Sequence, residues 1–270
     1  MDKLTEAKWR VDRSLFFSAM RETLREGYTW PHFFKDLIAG VTVGIIAIPL
    51  AMALAIASGV PPQYGLYTAV VAGFVIALLG GSRLNISGPT AAFVVLLLPV
   101  TQTYGLGGLS LCTFMAGVIL VVLAVSGLGG LVRYVPYSVT IGFTAGIGVV
   151  IFGLQLPDFL GLKLTFSSLH FHEKMGQVFS SIFHSSFSHL NWIETSIGAV
   201  TLLSFIGWLK LKTPIPAHLV ALFVGTVFSL LLQNLFPTAE IATIATRFHY
   251  EMHGISGVGI PPFLPEWVWP

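Results

Sequence analysis

The charged residues of this chain are gathered into a few short segments, and long runs without any Asp, Glu, Lys or Arg separate them. Leu37–Ser58, Leu66–Ser82, Leu84–Val132 and Tyr134–Pro157 are charge-free, and after a polar section Thr195–Leu209 and Thr213–Ala239 follow. A helix of about 20 apolar residues crosses the ~30 Å hydrocarbon layer of a bilayer, so each run is long enough to enter one. A water-soluble domain clothes its surface with about 25% charged residues; here 10% are charged and 54% hydrophobic. The chain therefore reads as an all-α membrane protein. Its formal net charge of +2 is too small to indicate nucleic acid, and its single cysteine, Cys112, excludes an internal disulfide framework.

The Leu84–Val132 run exceeds one crossing and is broken by the glycines of Tyr104–Gly108. Dividing it there predicts seven membrane segments, at about 37–58, 66–81, 89–104, 109–131, 135–156, 193–209 and 217–236. Residues 1–36 precede them and residues 237–270 follow. With residues 1–36 in the cytoplasm and sides alternating thereafter, the inner side receives seven bases before the first segment, then Arg83, Arg133, Lys210 and Lys212. The outer side receives only Lys163, Lys174 and Arg247, and every short inner loop is basic without an acid. This is the positive-inside bias of a multi-pass protein of the bacterial inner membrane with a cytoplasmic N-terminus. No cleavable signal peptide is expected, because residues 1–36 form a charged amphipathic stretch, suited either to the inner membrane surface or to a cytoplasmic cap.

One segment does not fit a simple crossing. Ser87-Gly88-Pro89 interrupts the apolar run after Arg83, and Pro89, with no N–H and a fixed φ, suits the first turn of a helix with Ser87 or Gly88 as its cap. A helix from Pro89 to about Tyr104 covers roughly 24 Å, short of the hydrocarbon core, so it starts inside the membrane. Residues Leu84–Ile86 then approach in extended form, which requires cover from protein or a wet cavity. A helix start at that depth presents unpaired N–H groups and about half a positive charge, the layout by which broken helices hold anions. A kink in an ordinary span is the plainer alternative. Pro49 is a second irregularity, a helix break in the first segment, followed by small residues from Ala51 to Ala57 that permit close helix approach. Gly40/Gly44 and Gly142/Gly146 read as helix packing contacts on the same ground.

Pro61-Pro62-Gln63-Tyr64-Gly65-Leu66-Tyr67 and Gly81-Ser82-Arg83-Leu84-Asn85-Ile86-Ser87-Gly88-Pro89-Thr90-Ala91 resemble the two signature stretches of the SulP (sulfate permease) family of secondary anion transporters. The likeness is nearest to enteric-bacterial members that carry C4-dicarboxylates. It implies two inverted seven-helix repeats, a mobile core domain rocking against a gate domain, and commonly a cytoplasmic STAS domain. Only the first repeat lies in this chain, which stops about where an eighth helix would begin. The resemblance places substrate-binding positions at Ser87, Gly88, Pro89, Thr90 and Ala91, with Leu50 and Leu54 on the first helix. Several relatives carry Gln and Phe at the two first-helix positions and Phe at the Thr90 position, so the pocket here is expected to be lined differently. A homodimer, a small anionic substrate such as succinate and a coupled proton, or Na⁺, are further implications; sulfate, bicarbonate or chloride transport, or an anion channel, are the alternatives.

No acid lies within the charge-free runs, so a titrating carboxylate for proton coupling would sit on the eighth helix, or the proton would travel on the substrate. Six of the eight histidines fall in outer segments, where they read as solvated residues on an amphipathic surface helix within Phe171–Trp192 and beyond it. His170-x-His172 is too sparse for a metal site. Asn85-Ile86-Ser87 matches a glycosylation acceptor only formally. No nucleotide-binding loop, nucleophile elbow or zinc-protease motif occurs, so neither an enzyme nor a cofactor is expected.

Overall fold

The computed structural model of the chain describes residues 17–88, 90–162, 171–184, 191–237, 241–252 and 255–262. It is mostly helical. A short helix α1 (Ser18–Arg25) precedes α2 (Trp30–Ala57) and α3 (Pro62–Leu79). An extended stretch and a 3-10 turn (Ala91–Phe93) lead into α4 (Val94–Val125), followed by α5 (Tyr137–Phe159) and α6 (Phe171–His184). Then come α7 (Trp192–Lys210), α8 (Ala217–Leu235) and α9 (Ile244–Arg247). Two strands, β1 (His249–Met252) and β2 (Ile255–Val258), close the described chain as an antiparallel hairpin with His249 opposite Val258. That hairpin is a departure from an all-α reading, because the Gly- and Pro-rich tail carries no periodic apolar signal long enough to reveal four-residue strands.

Among the described residues six helices, counting the 3-10 turn and α4 as one, are long and apolar enough to cross a membrane. Their large apolar side chains face outward: Phe74 is 68% exposed and Phe152 is 69% exposed. A bilayer reverses the usual sense of such exposure, since hydrocarbon rather than water meets these faces. α2 is about 42 Å long at ~1.5 Å per residue, more than one hydrocarbon layer. Its first turns carry Trp30, Phe33 and Phe34 in mutual ring contact, with centroids 5.2 and 5.3 Å from Trp30. Such a cluster suits the headgroup boundary, where one side of each ring is wet.

α2 and α3 pack tightly through small residues. A side chain at Gly65 would collide with the Ala51 carbonyl oxygen and lie 2.9 Å from Ala55 Cβ, so the two backbones touch at that level. Ala51 itself is fully buried. α7 and α8 form a second close pair, with Gly225 against the Thr201 side chain. Asn191 caps α7, its side-chain oxygen accepting from the Ile193 N–H at 3.1 Å. Among the described residues the expected contacts at Gly40, Gly44, Gly142 and Gly146 are not made, for none of those residues lies within 4 Å of where a Cβ would stand at any of them. Glycine spacing marks a surface that allows close approach, and these two faces have no neighbour in the described chain.

α4 is two helices joined end to end. Gly105 has φ 66° and ψ −163°, a backbone state reserved for glycine. The piece from Ala91 to Tyr104 covers about 21 Å and the piece from Leu106 to Val125 about 30 Å.

Candidate functional site

The extended stretch begins at a charged clamp. Arg83, just past the C-terminus of α3, donates from Nη2 to Glu26 Oε1 at 2.8 Å and pairs with Glu22 Oε2 at 2.9 Å, which ties α1 to the head of the stretch. The hydrogen bond from Arg83 holds the Glu26 carboxyl below the usual carboxylate range, and the two acids raise the Arg83 guanidinium further. From there Leu84 to Gly88 run without helix, and Thr90 is extended, with φ −119° and ψ 136°.

The 3-10 turn that leads into α4 starts at Ala91, two residues later than Pro89, the start that the proline suggested, and α4 itself begins at Val94. Pro89 itself lies outside the described residues. The cap position is Thr90 rather than Ser87 or Gly88, and the Thr90 hydroxyl makes no capping hydrogen bond. A β-branched residue favours extended backbone, which accounts for the later start. A helix start leaves its first N–H groups without carbonyls behind them; here Ala91 and Ala92 supply such groups next to an exposed Thr90.

Two contacts fix how deep this start lies. The Ser87 carbonyl oxygen stands 4.0 Å from the Cβ position of Gly73, which is about 16 Å along α3 from Pro62. At the other end, a Cβ placed on Gly59, after the last turn of α2, would stand 3.1 Å from Leu98 Cδ1 and 3.6 Å from Thr101 Cγ2. Ala91 is seven to ten residues before Leu98 and Thr101, or about 10–15 Å below that level. Both estimates put Ser87 and Ala91 about 10–16 Å from the α2–α3 turn along the helices. On α2, Leu50 is about 13 Å and Leu54 about 7 Å from Gly59. Leu50 thus shares the depth of the helix start, on a helix that packs against α4. Leu50 is 49% exposed and Leu54 half-buried, and α2 runs on through Pro49 to Ala57.

Two hollows lie at the opposite end of the described chain. One, of about 390 Å³, includes Leu98 and Gln102 of α4, Gln155 and Asp158 of α5, Lys174 of α6 and Arg247 of α9. The other, of about 360 Å³, lies beside Glu194, Gly198 and Thr243 and shares Asp158 and Arg247. Arg247 Nη1 donates to Asp158 Oδ1 at 3.0 Å, and Glu194 Oε1 accepts from the Ala242 N–H at 2.8 Å. These contacts anchor the tail of the chain on α5 and α7. Neither hollow is lined by Ser87, Gly88, Thr90 or Ala91. Sequence reasoning missed both hollows and the Arg83 clamp, whose partners lie 57 residues apart. Only the positions of lone charges between apolar runs pointed to them. Among the described residues no three His, Cys, Asp or Glu come together as metal ligands. Of the outer histidines, His172 lies 3.8 Å from Glu173 on α6; His170, His189 and His253 fall outside the described residues.

Comparison with known proteins decides the lineage. Residues 33–263 match the sulfate permease family. The chain belongs to that family. It is 42% identical over 245 residues to the putative sulfate transporter YvdB of Bacillus subtilis, covering 91% of this chain and 43% of that protein. It is 34% identical over 207 residues to the bicarbonate transporter BicA of Picosynechococcus, covering 72% of this chain and 35% of that one. Among solved structures it resembles the transmembrane domain of a cyanobacterial BicA, with a TM-score of 0.64 and 31% identity over 78% of this chain and 53% of that one. The chain therefore spans about half or less of the length of these sulfate permease relatives. It is a many-helix membrane protein of an anion-transporter family.

Proposed function

We propose that this chain supplies one half of the anion site in a secondary transporter, and that the start of α4 is that half-site. One observation carries the reading: an extended Thr90 precedes the first N–H groups of Ala91 and Ala92, with the Thr90 hydroxyl uncommitted to capping, and the helix rises put this start level with Leu50. Half a unit of positive charge and several N–H donors, set in a low-dielectric layer, favour a small anion there. Thr90 donates a hydroxyl, Ala91 adds a backbone donor, and Ser87 and Gly88 lie on the non-helical approach to the anion, with Pro89, outside the described residues, completing the set. Leu50 and Leu54 form the apolar wall.

In this reading the break at Gly105 divides the third helix, giving seven crossings with residues 1–36 on the cytoplasmic side of a bacterial inner membrane. A second repeat of inverted topology completes the site and the protein pairs as a homodimer. The core carrying α2, α3 and α4 rocks against the gate. Relatives named for sulfate and bicarbonate favour a compact inorganic oxyanion. A C4-dicarboxylate such as succinate, with a coupled proton, is the second reading, favoured by the exposed apolar Leu50, which suits methylene groups.

Counterflow tests the function. Proteoliposomes of the complete transporter, preloaded with unlabelled sulfate, bicarbonate or succinate, should take up the same labelled anion faster than unloaded vesicles, with saturation. Uptake that is linear in concentration and indifferent to preloading would indicate a channel and overturn the reading.

A further inference from the structure

The surface of α1 is divided by chemistry. Met20 and Leu24, four residues apart and both exposed, share one face with Phe17 at the cap. Arg21 and Arg25, also four apart and exposed, border that face. Glu22 and Glu26 lie on the far side, where Arg83 holds both. Ala19, next to the acids around the helix, is buried, and a Cβ placed on Gly81 would stand 3.3 Å from Ser18 Oγ. The acidic side of α1 is therefore the side fastened to the protein, and the apolar face with its two arginines is turned outward. Phe17, Met20, Arg21, Leu24 and Arg25 together line a shallow hollow of about 530 Å³.

The charge and the height of this face name its occupant. Leu24 is 63% exposed, and with Met20 it gains by leaving water. Guanidinium groups beside it suit phosphate oxygens, which their planar forks meet in bidentate fashion. α3 covers about 27 Å, nearly the whole ~30 Å hydrocarbon layer, so a helix tied just past its end belongs among headgroups. Trp30, Phe33 and Phe34, whose ring cluster suits the same boundary, follow five to nine residues after Arg25. We propose that α1 is an interfacial helix that binds anionic phospholipid, with Arg21 and Arg25 on the headgroup phosphates and Phe17, Met20 and Leu24 among the upper acyl carbons. This surface serves the lipid whichever anion the transporter carries. A cap on another part of the protein is the contrasting arrangement, and it buries the same face without any demand for charged lipid.

The test uses the complete transporter, made free of cysteine except for Leu24→Cys, which carries an apolar bimane label. It is placed in phosphatidylcholine nanodiscs into which phosphatidylglycerol is titrated. Phosphatidylglycerol should shield the label from acrylamide in the water and bring it within reach of quenching by brominated acyl chains. Arg21→Gln or Arg25→Gln should raise the phosphatidylglycerol fraction needed for half-maximal shielding about fivefold, and the double variant should not saturate. Added salt should act in the same direction. Arg21→Lys and Arg25→Lys keep the charge and should stay within about twofold of the parent. A label open to acrylamide at every lipid composition would overturn the proposal. So would a label that is shielded yet escapes the brominated chains, which is the outcome of a protein cap, and so would shielding indifferent to both arginines.

Discussion

Gly65 is where the packing of α2 on α3 is tightest. A Cβ added there meets the Ala51 carbonyl oxygen and stands 2.9 Å from Ala55 Cβ, whereas carbon atoms in contact settle at about 3.5–4.0 Å. Relief requires α2 and α3 to part by about 1 Å. Ala51 is fully buried, and a backbone oxygen cannot rotate away as a side chain can. Overpacking of this kind costs about 1–3 kcal/mol, set against a gain of up to about 1 kcal/mol from replacing glycine by alanine in a helix. Gly65→Ala is therefore expected to destabilise the chain by about 1–2 kcal/mol. Gly44→Ala on α2 meets nothing within 4 Å and should keep the helix gain, shifting stability by up to about 1 kcal/mol the other way. Chemical unfolding of both variants of this chain in detergent micelles, followed by tryptophan fluorescence, measures the contrast. Two shifts of the same sign, or a Gly65→Ala chain as stable as wild type, would refute the packing argument. The same parting would move Leu50 and Leu54 relative to the helix start.

The Arg83 clamp should respond to acid. The folded-state Glu26 carboxyl lies below the ordinary carboxylate range, so its contribution is present above that range and is lost as pH falls through the lowered value. Tryptic cleavage at Arg21 and Arg25 should accelerate on acidification of a pre-incubated sample, and in Glu26→Gln or Arg83→Ala at neutral pH; equal cleavage rates would show that the clamp does not hold α1. Gly105→Ala must adopt φ 66° and ψ −163°, at about 1–3 kcal/mol, read as a lower unfolding midpoint; an unchanged midpoint would mean that the two halves of α4 are not joined in that way.

What the sequence revealed and what it hid divide along physical lines. Runs without charge reveal helices, because a bilayer admits few other uses for them; α3 and α8 are free of charge, and α2, α5 and α7 carry charges only near their ends. The non-helical Gly105 lies within Tyr104–Gly108, where glycine density is a local property of the chain. The sequence expectation put a helix start at Pro89, whereas the 3-10 turn opens at Ala91 and α4 at Val94, since Pro89 restricts its own φ and the residue before it but does not fix that of Thr90. Pairings across long separations were not legible. Arg83 with Glu26, Arg247 with Asp158 and the Glu194 bond to Ala242 depend on how helices are placed, and no periodicity encodes that. Gly40/Gly44 and Gly142/Gly146 show the converse, a local pattern for contact without a neighbour to complete it.

The central claim is that the helix start at Ala91, completed by a second repeat, is reached by water and holds an anion. Cys112 is exposed, so it is first replaced by serine, and Ala91→Cys then gives a single thiol at the helix start. In membranes of the complete transporter, a water-soluble anionic thiol reagent should modify that cysteine, and sulfate, bicarbonate or succinate should slow the reaction in proportion to its occupancy. A thiol that stays unmodified until the bilayer is dissolved, or reacts at one rate whatever anion is present, would contradict the account.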